Sequence, residues 1–325
     1  MSKPAKPKVA ICYDFDGTLA AGNMQEYDYL PQLKIKPKQF WDEAKERART
    51  QQGDEILAYM CLMLEKAKAD PTKGIQVTKK AFADNVANVK LFKGVESWFE
   101  RINSFGHNAG AVIEHYIISS GNREMIMGIS IARYFRKVYA SSYMYDQHGV
   151  AIWPSLALNY TTKTQFLFRI NKGYLDEWDN SKINTYKAKE ERPVPFEQIV
   201  YIGDGTTDIP CMRLVKDQGG YAIAVFQPGK SKAKEGAANL FADNRVNFVA
   251  PADYREGKVL DKQIKSIIKK IVADNEVQQL IKRSEKNYTV KITLPEATPV
   301  SINEILPDNV VKLDEDVLDK RVEGT

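Results

Sequence analysis

Residues 9–13, VAICY, form an unbroken apolar run that ends on two aspartates, Asp14 and Asp16, with Gly17 and Thr18 directly after. A short run without polar interruption reads as a strand covered on both faces. Residues 23–92 then change period. "KQFWDEAKERART" and "DEILAYMCLMLEKAKA" carry apolar residues at helical spacing, with Asp54 placed to cap the second. Pro71 and Gly74 interrupt the pattern before a third helical stretch through "TKKAFADNVANV", and the block contains no strand pattern.

From Gly94 onward the pattern alternates. "GVESWFERINSFG" predicts an amphipathic helix closed by glycine, and "EHYIISSG" a strand ending in small polar residues. A helix over "REMIMGISIARYF" is followed by a strand at "KVYAS", and "YMYDQHGVAIW" reads as a hairpin turning at His148-Gly149. A short helix at "TQFLFRIN" stops at Gly173, and residues 174–195 make a polar excursion. "QIVYIGDG" and "GYAIAVF" are strands on either side of a helix at "DIPCMRLVKDQG". Apolar strands alternating with helices predict an α/β fold, a parallel Rossmann-like sheet with helices on both faces. Residues 23–92 are then an inserted helical block. Near the end, Leu260, Ile264, Ile267, Ile268 and Ile271 make one stripe of a long helix whose other side carries lysines. The final residues hold one strand-like run and an acidic tail, and no segment repeats.

Composition narrows the partners. The 47 basic and 42 acidic residues give a net charge of +5 but are interspersed, so no nucleic-acid footprint is expected. Cys12, Cys61 and Cys211 are scattered among apolar residues, which predicts buried reduced thiols and neither a disulfide frame nor a zinc site. No run is long enough to cross a bilayer, and "MSKPAKPK" is followed by too short an apolar core for a signal peptide. The expectation is a cytoplasmic protein without membrane partners; oligomeric state is not legible.

Candidate chemistry gathers at predicted strand ends, where ligands bind in open parallel sheets. Asp14 and Asp16 end the first strand; Ser119, Ser120 and Gly121 end the second; Asp204 ends "IVYIG". Two like charges on one strand end are costly unless a cation or proton resolves them. In "GDGTTD", glycines flank Asp204, and Asp208 opens the next helix, where an N-cap role and a functional role are equally open. Crowded carboxylates with no His or Cys cluster call for a hard divalent cation, magnesium above all. His107, His115 and His148 lie apart and read as packed or surface residues. Lys163 sits at a helix start, where the macrodipole disfavours a cation, whereas Lys172 sits at the favourable end; Lys163 is therefore the candidate functional charge.

In order, "DFDGTL", "IISSG", a lysine opening a helix and "GDGTTD" resemble the haloacid dehalogenase superfamily, over residues 8–22 and 93–250. The resemblance places a catalytic core at 1–22 and 93–285, a helical cap at 23–92 and an extension of unassigned role at 286–325. It implies Asp14 as nucleophile forming an aspartyl-phosphate, and Asp16 as acid and then base. It implies magnesium held by Asp14, the Asp16 carbonyl and Asp204, with Asp208 contributing. Ser119, the Ser120 and Gly121 amides, Thr18 and Lys163 are expected around the phosphoryl group. An acid at position 16 points to phosphate chemistry rather than dehalogenation, and the cap to a small phosphorylated metabolite. Motif order is similar to the phosphoserine-phosphatase-like branch. That branch expects a glutamate nine residues after the nucleophile, where this chain has Asn23, with Glu26 three residues later. Phosphate transfer to an acceptor alcohol, and a binding protein that keeps the metal site, remain alternatives to hydrolysis.

Overall fold

A computed structural model describes residues 6–69 and 71–288. The chain divides into two compact units, Met1–Gln279 and Leu280–Thr325. The strand-like run and acidic tail expected after Tyr288 fall outside the described residues.

The first strand, β1 (Lys8–Tyr13), is the middle of a seven-stranded sheet. Four helices follow it: α1 (Tyr29–Leu33), α2 (Pro37–Gln51), α3 (Glu55–Ala69) and α4 (Lys79–Asp84). Then come α5 (Val95–Ala109), β2 (Val112–Asn122), α6 (Arg123–Gly128), β3 (Phe135–Tyr145), β4 (Ala151–Leu156) and α7 (Tyr160–Lys172). The last elements are β5 (Ile199–Gly203), α8 (Ile209–Asp217), β6 (Tyr221–Phe226), α9 (Ser231–Ala242), β7 (Phe248–Pro251) and α10 (Val259–Tyr288).

The sheet order is β4-β3-β2-β1-β5-β6-β7, parallel except for the β3–β4 hairpin. After β1 the chain builds outward on one side through β2 and on the other through β5, with Tyr13 opposite both Ile117 and Ile202. That reversal opens a crevice beyond the carboxyl ends of the central strands, where the candidate residues lie.

Alternation along β1 explains the two-sided burial. Val9, Ile11 and Tyr13 face one apolar core with Trp98, Phe99, Leu260, Ile264 and Ile268; Ala10 and Cys12 face another with Phe166, Leu167, Met212 and Val215. Every residue of the predicted α10 stripe is buried in the first core. The helical block between β1 and α5 has no separate core, because Leu30, Phe40, Met60 and Phe82 join that same cluster. Phe82 also stacks on Tyr143 of β3 at 5.3 Å.

Several expectations shift in detail. The helix expected over residues 123–135 stops at Gly128, whose backbone is pressed against Ala83 too closely for any side chain; a 3-10 turn over Ser130–Tyr134 leads into β3. The α5 helix runs through Gly106, which lets Ile113 pack against it, and closes at Gly110 in the left-handed conformation. The third helix of the block is only Lys79–Asp84, capped by Thr78. Cys61 is half-buried rather than buried; Cys12 and Cys211 are in the core as free thiols. The polar excursion after α7 is fastened by that helix's last-turn cations. Arg169 donates to the Asp176 and Asp179 carbonyls, and Lys172 to those of Ile183 and Thr185. Among the described residues no helix is long and apolar enough to cross a membrane.

Candidate active site

The chain leaves β1 by one further ladder bond, Asp14 N–H to the Ile202 carbonyl at 2.9 Å, so Asp14 is held as rigidly as the strand. The turn that follows needs glycine at position 17. Its φ is +78°, and a Cβ there would overlap the Asp204 carboxylate. Two strand ends thereby press two acids together, and carboxylate oxygens of Asp14, Asp204 and Asp208 all lie within 4.8 Å of one another.

Lys163 offsets that repulsion. Its Nζ donates to Asp208 Oδ1 at 2.7 Å, to Asp14 Oδ1 at 3.2 Å and to Thr207 Oγ1 at 3.3 Å, and its side chain is 0% exposed. Asp208 is saturated too: Tyr201 Oη donates to Oδ1 at 2.7 Å and Gly205 N–H to Oδ2 at 3.2 Å. The N-cap alternative for Asp208 therefore does not hold for α8; its carboxylate organises the loop and the lysine.

Burial first, then the nearby Asp208 charge, push Asp14 up to about 6, against the pull of Lys163. Burial and Asp14 raise Asp16 well above the ordinary carboxylate range, although Met24 N–H donates to its Oδ1 at 3.0 Å. The same two causes raise Asp204, whose surface is nonetheless open to the cavity. Burial alone would lower Lys163, yet Asp14 and Asp208 hold it above an ordinary lysine. Adjacent acids whose environments differ are the raw material of acid–base chemistry.

These groups form the floor of a cavity of about 400 Å³, lined by Asp14, Asp16, Ser119, Ser120, Gly121 and Asp204. The Gly121 amide donates to Ser119 Oγ at 3.1 Å, which leaves the Ser119 hydroxyl proton to point elsewhere. Ser120 Oγ is buried without a partner. Three of the expected phosphate contacts have other partners or placements in this structure. Thr18 does not line the cavity: its hydroxyl is buried elsewhere and its carbonyl accepts from Tyr254. Lys163 stands behind Asp14 rather than at the cavity surface, with three acceptors already engaged. The Gly121 amide is committed to Ser119.

A metal site fits the donors present. The converging ligands are carboxylate oxygens alone, with no His or Cys among them, and this suits a hard cation. Asp14 and Asp204 line the cavity, whereas Asp208 does not. The histidines take no part. His115 is buried between Tyr13 Oη and Asn103 Oδ1, both at 3.0 Å, and burial pushes it down to about 3, while His107 and His148 are exposed.

A second wall comes from the helical block. Asn23, Gln25, Trp41, Glu55, Ile56 and Tyr59 line it, and Thr207 and Gln227 complete the rim. Tyr59 Oη donates to the Ser120 carbonyl at 2.8 Å, and Asp54, which caps α3, also accepts from Asn159 at the start of α7. Sequence reasoning missed this wall, because Glu55 and Tyr59 look like any first-turn acid and core aromatic. Thr207, inside "GDGTTD", was within reach of the motif.

Comparison with known proteins agrees with the geometry. A family model described as haloacid dehalogenase-like hydrolase matches residues 11–213. An uncharacterized protein of Borreliella burgdorferi is 28% identical over 276 residues, covering 78% of this chain and 93% of its own. The unliganded structure of a probable phosphoserine phosphatase from Vibrio cholerae is similar with a TM-score of 0.51 and 13% identity, over 83% of this chain and 67% of that one. A HAD family hydrolase from Salmonella enterica gives 0.48 at 15% identity, over 71% of this chain; the chain spans 66% of that hydrolase, just under two thirds. At such identities the likeness is one of fold. The family match covers more than half of the chain and contains the end of β1 with the aspartates that follow it, Lys163 and the Asp204 loop, so the chain belongs to the haloacid dehalogenase-like hydrolases.

Proposed function

We propose that the protein is a magnesium-dependent phosphatase acting on a small phosphorylated metabolite through an aspartyl-phosphate. The observation that carries this is the convergence of Asp14, Asp16, Asp204 and Ser119 on one cavity, with Lys163 fixed behind the first of them.

An Asp14 carboxylate oxygen attacks phosphorus while the ester P–O bond breaks. The leaving oxygen takes its proton from the Asp16 carboxyl. Asp16, now a carboxylate, removes a proton from the water that attacks the same phosphorus. The Asp14–phosphorus bond breaks, inorganic phosphate leaves and Asp14 is restored. Asp14, the Asp16 carbonyl and Asp204 would hold magnesium, which would supply charge neutralisation to the phosphoryl oxygens. The Ser119 hydroxyl donates to those oxygens. Lys163 is a positioning residue: it orients Asp14 and lets it keep an ionised carboxylate in a buried place. The helical block, residues 23–92, serves as the cap that bounds the substrate chamber.

The test is hydrolysis of an aryl phosphate with and without magnesium by the native chain and by Asp14→Asn. Magnesium-dependent turnover that falls by about 1000-fold or more in the variant is expected, since covalent chemistry loses its nucleophile. Turnover that survives the substitution would mean another residue attacks phosphorus.

A further inference from the structure

The cavity is chemically lopsided. Four carboxylates line it, those of Asp14, Asp16, Asp204 and Glu55, and no lysine, arginine or histidine among the described residues does. Glu55 comes from a different part of the chain than the other three, the first position of α3 in the helical block. No ion pair or hydrogen bond joins its side chain to another described residue. The first-turn amides of Ile56 and Leu57, which would favour an anion, already donate to Asp54 Oδ1 at 2.8 and 2.9 Å. Lys230, Lys232 and Lys234 are exposed in the segment beside Gln227 and Ala233, and none of them lines the cavity.

Around Glu55 the wall is aromatic and accepting. Trp41 and Tyr59 meet edge to face with ring centroids 5.6 Å apart. The Trp41 ring is fixed by its Nε1–H, which donates to Glu26 Oε1 at 2.7 Å; Asn23 Nδ2 donates to the same oxygen at 2.7 Å. Glu26 is thereby spent on holding the wall and does not line the cavity. Gln25 is 1% exposed, lines the cavity and has a side-chain oxygen without any partner. A buried acceptor left open, a free carboxylate and two ring surfaces together ask for a donor that carries positive charge. A substrate whose organic part bore a carboxylate or a second phosphate would set that anion against Glu55 with no cation to meet it.

We propose that Glu55, Trp41, Tyr59 and Gln25 form a cation subsite, so that the substrate is the phosphate ester of an amino alcohol, with its ammonium end at this wall and its phosphate at Asp14. This rests on the phosphatase reading above and narrows it.

The experiment compares kcat/KM of the full chain with magnesium for choline phosphate and for its neutral carbon isostere, in which a tert-butyl group replaces the trimethylammonium. Serine phosphate, ethanolamine phosphate and an aryl phosphate are run beside them, and all five are repeated with Glu55→Gln. The expected result is a preference of about 10-fold for choline phosphate over the isostere, the size of a desolvated cation–π and charge contact, with most of it lost in the variant. Ethanolamine phosphate above choline phosphate would assign the subsite to a primary ammonium, still a cation. Equal rates for ester and isostere, or serine phosphate preferred to both, overturn the subsite while leaving the phosphatase reading intact if the aryl phosphate is hydrolysed. A preference that survives Glu55→Gln overturns the assignment to this wall. No hydrolysis of any ester overturns both readings.

Discussion

The two sides of the cavity are built by different means. Its floor consists of strand ends and the loops directly after them, with Asp14 tied into the sheet and Lys163 bonded to three acceptors. Its wall consists of helices that reach the floor through side chains, Tyr59 to the Ser120 carbonyl and Asp54 to Asn159. Backbone ladders hold a position to fractions of an ångström, as displacement of phosphoryl-transfer groups demands. Side-chain tethers hold a surface more loosely, which suits a region that selects substrates. In the proposed reaction chemistry and selectivity reside on separate elements, so each side is open to perturbation without the other.

The largest effect is expected from the floor. Lys163→Met keeps the length of the side chain but leaves Asp14 and Asp208 facing each other at the bottom of a buried site. Breaking a buried ion pair from one side costs about 3–5 kcal/mol, so the midpoint of chemical denaturation should fall accordingly. An unfolding free energy within about 1 kcal/mol of the native chain's, on the order of experimental scatter, would show that the lysine is not the counter-charge described here.

Gly17→Ala tests the geometry of the floor rather than its charge. The new methyl overlaps the Asp204 carboxylate at a φ of +78°. Displacing that acid by about an ångström should lower kcat on an aryl phosphate by roughly 100-fold, while the chain stays folded by circular dichroism. Unchanged kcat would place Asp204 outside the reaction.

The smallest effect belongs to the wall. Tyr59→Phe removes one hydrogen bond to the Ser120 carbonyl, worth about 1 kcal/mol. Steady-state kinetics should show KM rising several-fold with kcat little changed. If instead kcat collapsed, the wall would be part of the chemistry and the contrast between the two sides would disappear.

The difference between floor and wall also governs what was legible beforehand. Asp14, Asp16, Ser119 and Asp204 stand out because each interrupts or ends an apolar run, and because strand ends of a parallel sheet share one side. Lys163 stands out because it sits at the electrically wrong end of its helix. Its orientation was not legible: whether an ammonium faces a cavity or lies behind a carboxylate depends on which side of α7 meets β1 and on the Asp208 loop. The placement of the Thr18 hydroxyl was not legible for the same reason, since one residue of turn decides which way a hydroxyl points. The wall was invisible because Trp41, Glu55 and Tyr59 follow ordinary helical periodicity, and nothing local records what a helix will be packed against.

Local chemistry along the chain therefore determined the α/β alternation, the place of the inserted helices and the acids that meet at the strand ends, because apolar period and strand-end polarity are properties of neighbouring residues. Tertiary structure alone decided that Lys163 is a buried counter-charge, that Glu26 braces Trp41, and that Glu55 and Asp14 line one cavity to which no lysine, arginine or histidine of the described residues contributes. Those are relations between segments distant in sequence, set by how helices pack and which side-chain partners they find, and such relations exist only once the chain has closed on itself.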